Sequence, residues 1–106
     1  MKLLIVSDIH GSLYYTQKIN ILYNKFKPDK IIILGDILYH GPRNKFPTNY
    51  NPQEVIAILN NLKDKIIAIR GNCDAEVDQM VLDFDISADY KILQVDNYNF
   101  ILSHGT

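Results

Sequence analysis

Cysteine is nearly absent from this chain: Cys73 is its only one in 106 residues. A single thiol cannot close an intrachain disulfide, which fits a reducing compartment, and the lack of further thiolates argues against a closed structural zinc site. Long apolar runs are missing too. The stretch Leu3-Leu4-Ile5-Val6 is stopped by Ser7-Asp8, too short for a signal-peptide core, and nothing approaches the ~20 residues that span a bilayer. There is no excess of charge: eleven Lys and Arg against twelve Asp and Glu leave a net -1. No global field therefore draws the chain to nucleic acid or an anionic membrane, and any polyanion needs a local site. Internal repeats and low-complexity tracts are absent as well. These absences together predict a cytoplasmic protein with neither a membrane nor a nucleic-acid surface.

What is present is an ordinary globular composition, 47% hydrophobic and 22% charged, in a length suited to one domain over residues 1–106. Three apolar runs read as buried parallel strands: Lys2 to Val6, Lys30 to Leu34 and Lys65 to Ile69. Each is rich in β-branched residues and lacks alternation, as expected where helices cover both faces of a sheet. Between the first two, Ile19, Leu22, Tyr23 and Phe26 recur at helical spacing, with Gly11-Ser12 opening the segment and Pro28 just beyond it. Between the second and third, Asn51 caps, Pro52 suits the first helical position, Glu54 completes a capping-box spacing, and Val55, Ile58, Leu59 and Leu62 form a stripe. Strand, helix, strand, helix, strand implies right-handed crossovers and the start of a doubly wound α/β fold. Further on, Tyr90 to Val95 and Tyr98 to Leu102 read as a hairpin turning at Asp96-Asn97. Between the halves, Cys73 to Asp89 holds six acidic residues and no Lys or Arg, and reads as a solvated acidic face or loop. Gly41 to Pro52 reads as a long loop.

Side chains able to bind metal follow directly on the apolar runs. Val6 is followed by Ser7-Asp8-Ile9-His10, Leu34 by Gly35-Asp36, Ile69 by Arg70-Gly71-Asn72-Cys73-Asp74, and Leu102 by Ser103-His104-Gly105. Ligands of open α/β sheets bind beyond the carboxyl ends of the strands, so Asp8, His10, Asp36 and Asn72 fall on one rim, and His104 joins them if its strand points the same way. Each signal alone is weak, since Gly-Asp is a common turn and a lone His is usually unremarkable; the joint placement is not. Carboxylate, amide and imidazole donors suit Mn²⁺, Fe, Ni²⁺ or Zn²⁺. Asp36, with two oxygens, is the natural bridge between two cations, and a pair ~3.5 to 4 Å apart polarises a phosphoryl group and holds a hydroxide nucleophile at neutral pH. No Ser-His-Asp arrangement is evident. Gly11 and Gly35 are expected to let backbone approach the ions, and the helix beginning near Ser12 to point free N–H groups towards an anion.

These motifs resemble, in order, those of the calcineurin-like metallophosphoesterases. Ser7-Asp8-Ile9-His10-Gly11-Ser12, His40-Gly41-Pro42-Arg43-Asn44 and the run from Arg70 to Met80 resemble the bacterial YfcE-type phosphodiesterases in particular. The resemblance implies the N-terminal portion of a four-layer α/β/β/α sandwich with a dinuclear site at the strand ends. It assigns Asp8 and His10 to one metal, Asp36 to the bridge, and Asn72 and His104 to the other. It implies hydrolysis of a small phosphodiester by in-line attack of a metal-bridging hydroxide, commonly with Mn²⁺. Asn72, Cys73 and Asp74 are the catalytic candidates, Asp74 orienting groups behind the ligands, while His40 and Arg43 are candidates for substrate binding.

Two departures from the family pattern matter. Cys73 stands where many members carry a histidine, and a thiol is a poorer proton donor to an alkoxide, which favours activated diesters over monoesters. The family's Gly-His-x-His segment, one imidazole for each metal, is absent from these 106 residues. This form is therefore expected to bind metal weakly, to be impaired or inactive, and to self-associate as a homo-oligomer through exposed sheet surface. The competing expectation is a catalytically inactive scaffold of the same fold that binds protein partners.

Overall fold

The computed structural model describes residues 2–38 and 49–105. In chain order the elements are β1 (Leu3–Val6), α1 (Leu13–Phe26), β2 (Lys30–Ile33), α2 (Pro52–Asn61), β3 (Ile66–Ala68), α3 (Glu76–Val81), β4 (Tyr90–Val95) and β5 (Tyr98–Ser103). β1, β2 and β3 form a parallel sheet in that order, while β4 and β5 pair antiparallel as a separate hairpin.

Local chemistry sets the helix ends. Ser12 Oγ accepts from the Tyr15 N–H at 3.3 Å to open α1. At the other end Lys27 adopts a left-handed φ of 47°, and its N–H returns to the Tyr23 carbonyl, just before Pro28 rules out further helix. In α2, Asn51 Oδ1 accepts from the Glu54 N–H and Pro52 takes the first helical turn.

The two faces of the parallel sheet are covered differently. Ile31 and Ile33 pack with Ile19 of α1 and Val55 and Leu59 of α2, whereas Ile32, between them, packs with Leu102 and Leu93 of the hairpin. Helices on both faces, expected from the strand pattern, are thus corrected to helices on one face and a hairpin on the other, the α/β/β order that the resemblance to the four-layer sandwich implies. The reason is topological: successive right-handed crossovers that step in one direction across a sheet leave every helix on the same side. α1 and α2 accordingly contact each other. The layers run helix, sheet, hairpin.

The α1 stripe is only partly used. Ile19 is buried and Tyr23 half-buried, but Leu22 and Phe26 are exposed. A 14-residue helix is about 21 Å long against about 13 Å for a four-residue strand, so its second half overhangs the sheet.

The acidic segment is also more than a solvated face. Leu82, Phe84 and Ile86 are buried and alternate with exposed Asp83 and Asp85, a period-two pattern that closes the core beyond α3. Gln79 clamps this stretch, donating to the Phe84 carbonyl at 2.9 Å and accepting from the Ile86 N–H at 2.6 Å. Within α3, Asp78 accepts from the Ala75 N–H, yet burial and then the charge of Asp74 leave its carboxyl above the usual range. A carboxylate whose folded pKa is raised penalises the native state at neutral pH, and the penalty vanishes below the unfolded value of about 4, where both states are protonated. Asp78→Asn is therefore expected to stabilise by a few tenths of a kcal/mol at neutral pH, screening keeping the gain small, and by nothing near pH 3. Urea unfolding at the two pH values checks this.

Candidate metal centre

The loops leaving β1 and β2 continue side by side past the sheet. The Leu34 N–H donates to the Val6 carbonyl, Asp8 N–H to Gly35, His10 N–H to Asp36 and Gly11 N–H to Ile37, at 2.8–3.2 Å. To keep this zipper while turning their side chains up onto the rim, Asp8, His10 and Asp36 take left-handed φ values of 56°, 52° and 56°. Left-handed φ costs a non-glycine residue of order 1–3 kcal/mol. Half of the six such residues described are candidate ligands, so strain is concentrated at this rim.

Asp74 ties the third strand to it. Its buried carboxylate accepts from the N–H groups of Asp36 at 2.8 Å, Ile37 at 2.9 Å and Gly71 at 2.7 Å. The Cys73 N–H in turn donates to Asp36 Oδ1 at 2.7 Å. Such closeness leaves no room for a Cβ: one built on Gly35, at φ 96°, would lie 2.4 Å from the Gly71 nitrogen. A Cβ on Gly11 would meet the Leu38 carbonyl and the Tyr50 ring. Both glycines are required by protein packing, whatever room they also leave for the approach of ions. The N-terminus of α1 is likewise occupied, Leu13 N–H donating to the Asn49 carbonyl and Tyr15 N–H to Ser12, so the expected anion cradle there is not free.

The rim brings five of the sequence candidates together. His10 Nε2 lies 3.3 Å from Asp8 Oδ1 and 3.8 Å from Asp36 Oδ2, and His104 Nε2 lies 3.1 Å from Asp36 Oδ2 and 4.0 Å from Asp8 Oδ1. His104 arrives from β5, in the other sheet, with Nδ1 2.6 Å from the Leu34 carbonyl. That carbonyl can only accept, so Nδ1 carries the proton and Nε2 faces the cluster. Asn72 presents its amide oxygen 2.8 Å from Asp36 Oδ2 and 2.9 Å from His104 Nε2; turning the amide over replaces that oxygen with an N–H donor. Two sets of donor atoms gather within 4.8 Å: Asp8, Asp36 and His104, and His10, Asp36 and Cys73. Asp36 belongs to both.

The electrostatics follow from this crowding. Burial is the main reason the Asp36 carboxyl sits above its usual range, opposed by the Cys73 N–H and the His104 charge. Burial acts to lower the His104 pKa, but the Leu34 carbonyl and the charges of Asp36, Asp8 and Asp74 together outweigh it, and the net shift is upward. Burial, then Asp36 and Asp74, push the Cys73 thiol up, so at neutral pH it is a thiol rather than a thiolate.

One role of a sequence candidate and one further residue escaped the sequence reading. Cys73 joins a donor set through its thiol, a role that spacing alone does not show. Arg70, exposed between β3 and the Asn72 turn, lines the cleft beside Asn72 and His104; its position directly after a strand was the available signal. His40 and Arg43 lie outside the described residues.

Residues 1–105 match the calcineurin-like phosphoesterase family, and the chain belongs to that family. It is 46% identical over 105 residues to the phosphodiesterase YfcE of Escherichia coli K12, and equally to YfcE of the O157:H7 strain. The match covers 99% of this chain and 57% of those proteins, so the chain spans little more than half of their length. A solved structure of YfcE, described as a phosphoesterase from E. coli, superimposes with a TM-score of 0.97 over 99% of this chain and 58% of that one. A conserved uncharacterized protein from Streptococcus pneumoniae shares the fold at a TM-score of 0.54 and 18% identity, over 98% of this chain and 45% of that one. No helix among the described residues is long and apolar enough to cross a membrane.

Proposed function

We propose that this chain carries the core of a dinuclear-metal phosphodiesterase site, and the convergence of Asp8, His10, Asp36, Asn72 and His104 from four chain segments is the observation that supports it. The donor chemistry fits two divalent cations. His104 Nε2 and the Asn72 amide both lie against the Asp36 carboxylate, and with the amide oxygen facing inward they form a nitrogen-and-oxygen donor set suited to a divalent cation. By the family pattern Asp8 and His10 would hold one cation, Asp36 would bridge, and Asn72 and His104 would hold the second, while the donor atoms of this chain gather as Asp8, Asp36 and His104 and as His10, Asp36 and Cys73. Bound there, the metals supply Lewis-acid polarisation of a phosphoryl oxygen and a nucleophile derived from water at neutral pH.

The chain's own groups set the conditions for that chemistry. Burial around Asp36 raises the effective strength of its charge on whatever it binds. The Leu34 carbonyl, by holding Nδ1–H, aims the His104 Nε2 lone pair and fixes the tautomer. Asp74 touches neither metal nor substrate in this reading; it is a positioning residue that locks the Asp36 and Gly71 backbones together. Asn72 holds its cation and faces the substrate. Cys73, kept as a thiol, is no nucleophile, and its weak acidity favours diesters with good leaving groups. His40 and Arg43 are assigned to the substrate phosphate on sequence grounds.

The test is Mn²⁺ titration by calorimetry beside hydrolysis of bis(4-nitrophenyl) phosphate. Mn²⁺ is expected to bind weakly, hydrolysis to be slow or impaired in this 106-residue form, to require the metal and to stop with a chelator, and Ni²⁺ or Zn²⁺ to substitute in part. His104→Gln, which removes the only candidate from the second sheet, is expected to weaken metal binding at least about 10-fold. Absence of any Mn²⁺ binding by the intact chain overturns the reading.

A further inference from the structure

Arg70 is one of only two arginines in the chain. Its backbone is fixed, the N–H donating to the Ala88 carbonyl at 2.7 Å and Gly71 beside it bound to Asp74, but its side chain is exposed. The guanidinium makes no hydrogen bond or ion pair with any described residue. It lies between two cavities. One, of about 470 Å³, is polar and includes Asn72, Ser103 and His104 in its wall. The other, of about 290 Å³, is mainly apolar and is lined by Ala75, Met80 and Ile86, with the carboxylates Asp74 and Glu76 also in its wall. Among the described residues Arg70 is the only Arg or Lys lining either cavity, where it stands beside Asp74 and Glu76 in the smaller and Asp89 and His104 in the larger.

We propose that Arg70 and the smaller cavity form the substrate subsite that selects the ester: the guanidinium takes a non-bridging phosphate oxygen, and the cavity receives a planar apolar ester group. The inference deepens the phosphodiesterase reading and rests on it. A free guanidinium beside a cluster of carboxylates is the group that allows an anion to approach, and its planar fork matches two oxygens of one phosphate. The geometry then divides the substrate. The phosphate sits on the side of Asn72 and His104, while one ester arm turns past Arg70 over Met80, which is 85% exposed at the cavity mouth. Glu76 repels a second anionic group there, so the arm is uncharged. The chemical class is a phosphate ester with an aryl or base-like ring on one side. Gln79 also lines this cavity, but its amide is already committed to Phe84 and Ile86, so it shapes the wall and does not read the ligand.

Calorimetry on the Mn²⁺-loaded intact chain tests this with phenyl phosphate and methyl phosphate, which share a headgroup and differ in the arm. The parent is expected to bind phenyl phosphate about 10-fold more tightly. Arg70→Ala weakens both ligands by about 10-fold or more, and Arg70→Lys recovers only part because an ammonium is not a fork. Met80→Glu, at an exposed position, lowers phenyl phosphate affinity about 10-fold more than that of methyl phosphate. Equal affinities for the two esters in the parent, or an unchanged Arg70→Ala, overturn the inference while Mn²⁺ still binds. Failure of Mn²⁺ itself to bind overturns the phosphodiesterase reading and this subsite with it.

Discussion

Asp36→Asn abolishes metal binding and leaves a protein at least as stable as its metal-free parent. The two halves of this expectation come from the same burial. Asp36 is 3% exposed, and burial holds its carboxyl above the ordinary range, so at neutral pH the charged form penalises the folded state. Asparagine has the same shape. Its Oδ1 still accepts from the Cys73 N–H, and its amide nitrogen donates to His104 Nε2, now 3.1 Å from a carboxylate oxygen. The charge that would bridge two cations is gone, so Mn²⁺ affinity is expected to fall by at least about 100-fold, beyond the range seen when only supporting partners of a ligand are removed. Stability of the metal-free protein is expected to rise by up to about 1 kcal/mol, the usual exchange between a functional site and a stable one. The gain follows the sign of the shift: it is full well above the raised pKa and absent below about pH 4. Calorimetry with Mn²⁺ and thermal unfolding in chelator are the measurements. Undiminished Mn²⁺ binding, or a loss of more than about 1 kcal/mol, contradicts the account.

Asp74→Ala has the larger structural effect. One carboxylate satisfies three buried N–H groups from two loops, and alanine leaves all three without a partner. An unsatisfied buried donor costs about 1–3 kcal/mol, and entering water recovers part, so a loss of about 3–5 kcal/mol is expected. That is a large share of the 5–15 kcal/mol typical of a domain, and the variant is expected to fold poorly. Asp74→Asn separates the contributions. The carboxylate uses Oδ2 for Asp36 and Gly71 and Oδ1 for Ile37, so an amide keeps one oxygen and turns an N–H against the remaining donors. It should lose roughly half as much, lowering the midpoint by about 4–8 °C for each kcal/mol, and its folded fraction should bind Mn²⁺ about 10–100-fold more weakly. Thermal unfolding of both variants decides it; a loss below about 1 kcal/mol for alanine would mean that Asp74 is not what holds the loops together.

Much of this was readable from spacing. The unbroken β-branched runs mark β1, β2 and β3, the Ser12 and Asn51 caps open α1 and α2, and Asp96-Asn97 turns the hairpin, because strands, helix ends and tight turns are set by neighbours in the chain. The position of Asp8, His10, Asp36 and Asn72 immediately after strands was legible for the same reason, since parallel strands share one carboxyl end. Tertiary structure alone decided the rest. It placed a hairpin instead of helices over Ile32, brought His104 from another sheet against Asp36, assigned Gly11 and Gly35 to packing, and gave Asp74 its three backbone partners. Periodicity records which side of an element is buried but not what buries it. That depends on contacts between residues up to 70 positions apart, such as His104 and Leu34, and no local spacing encodes them.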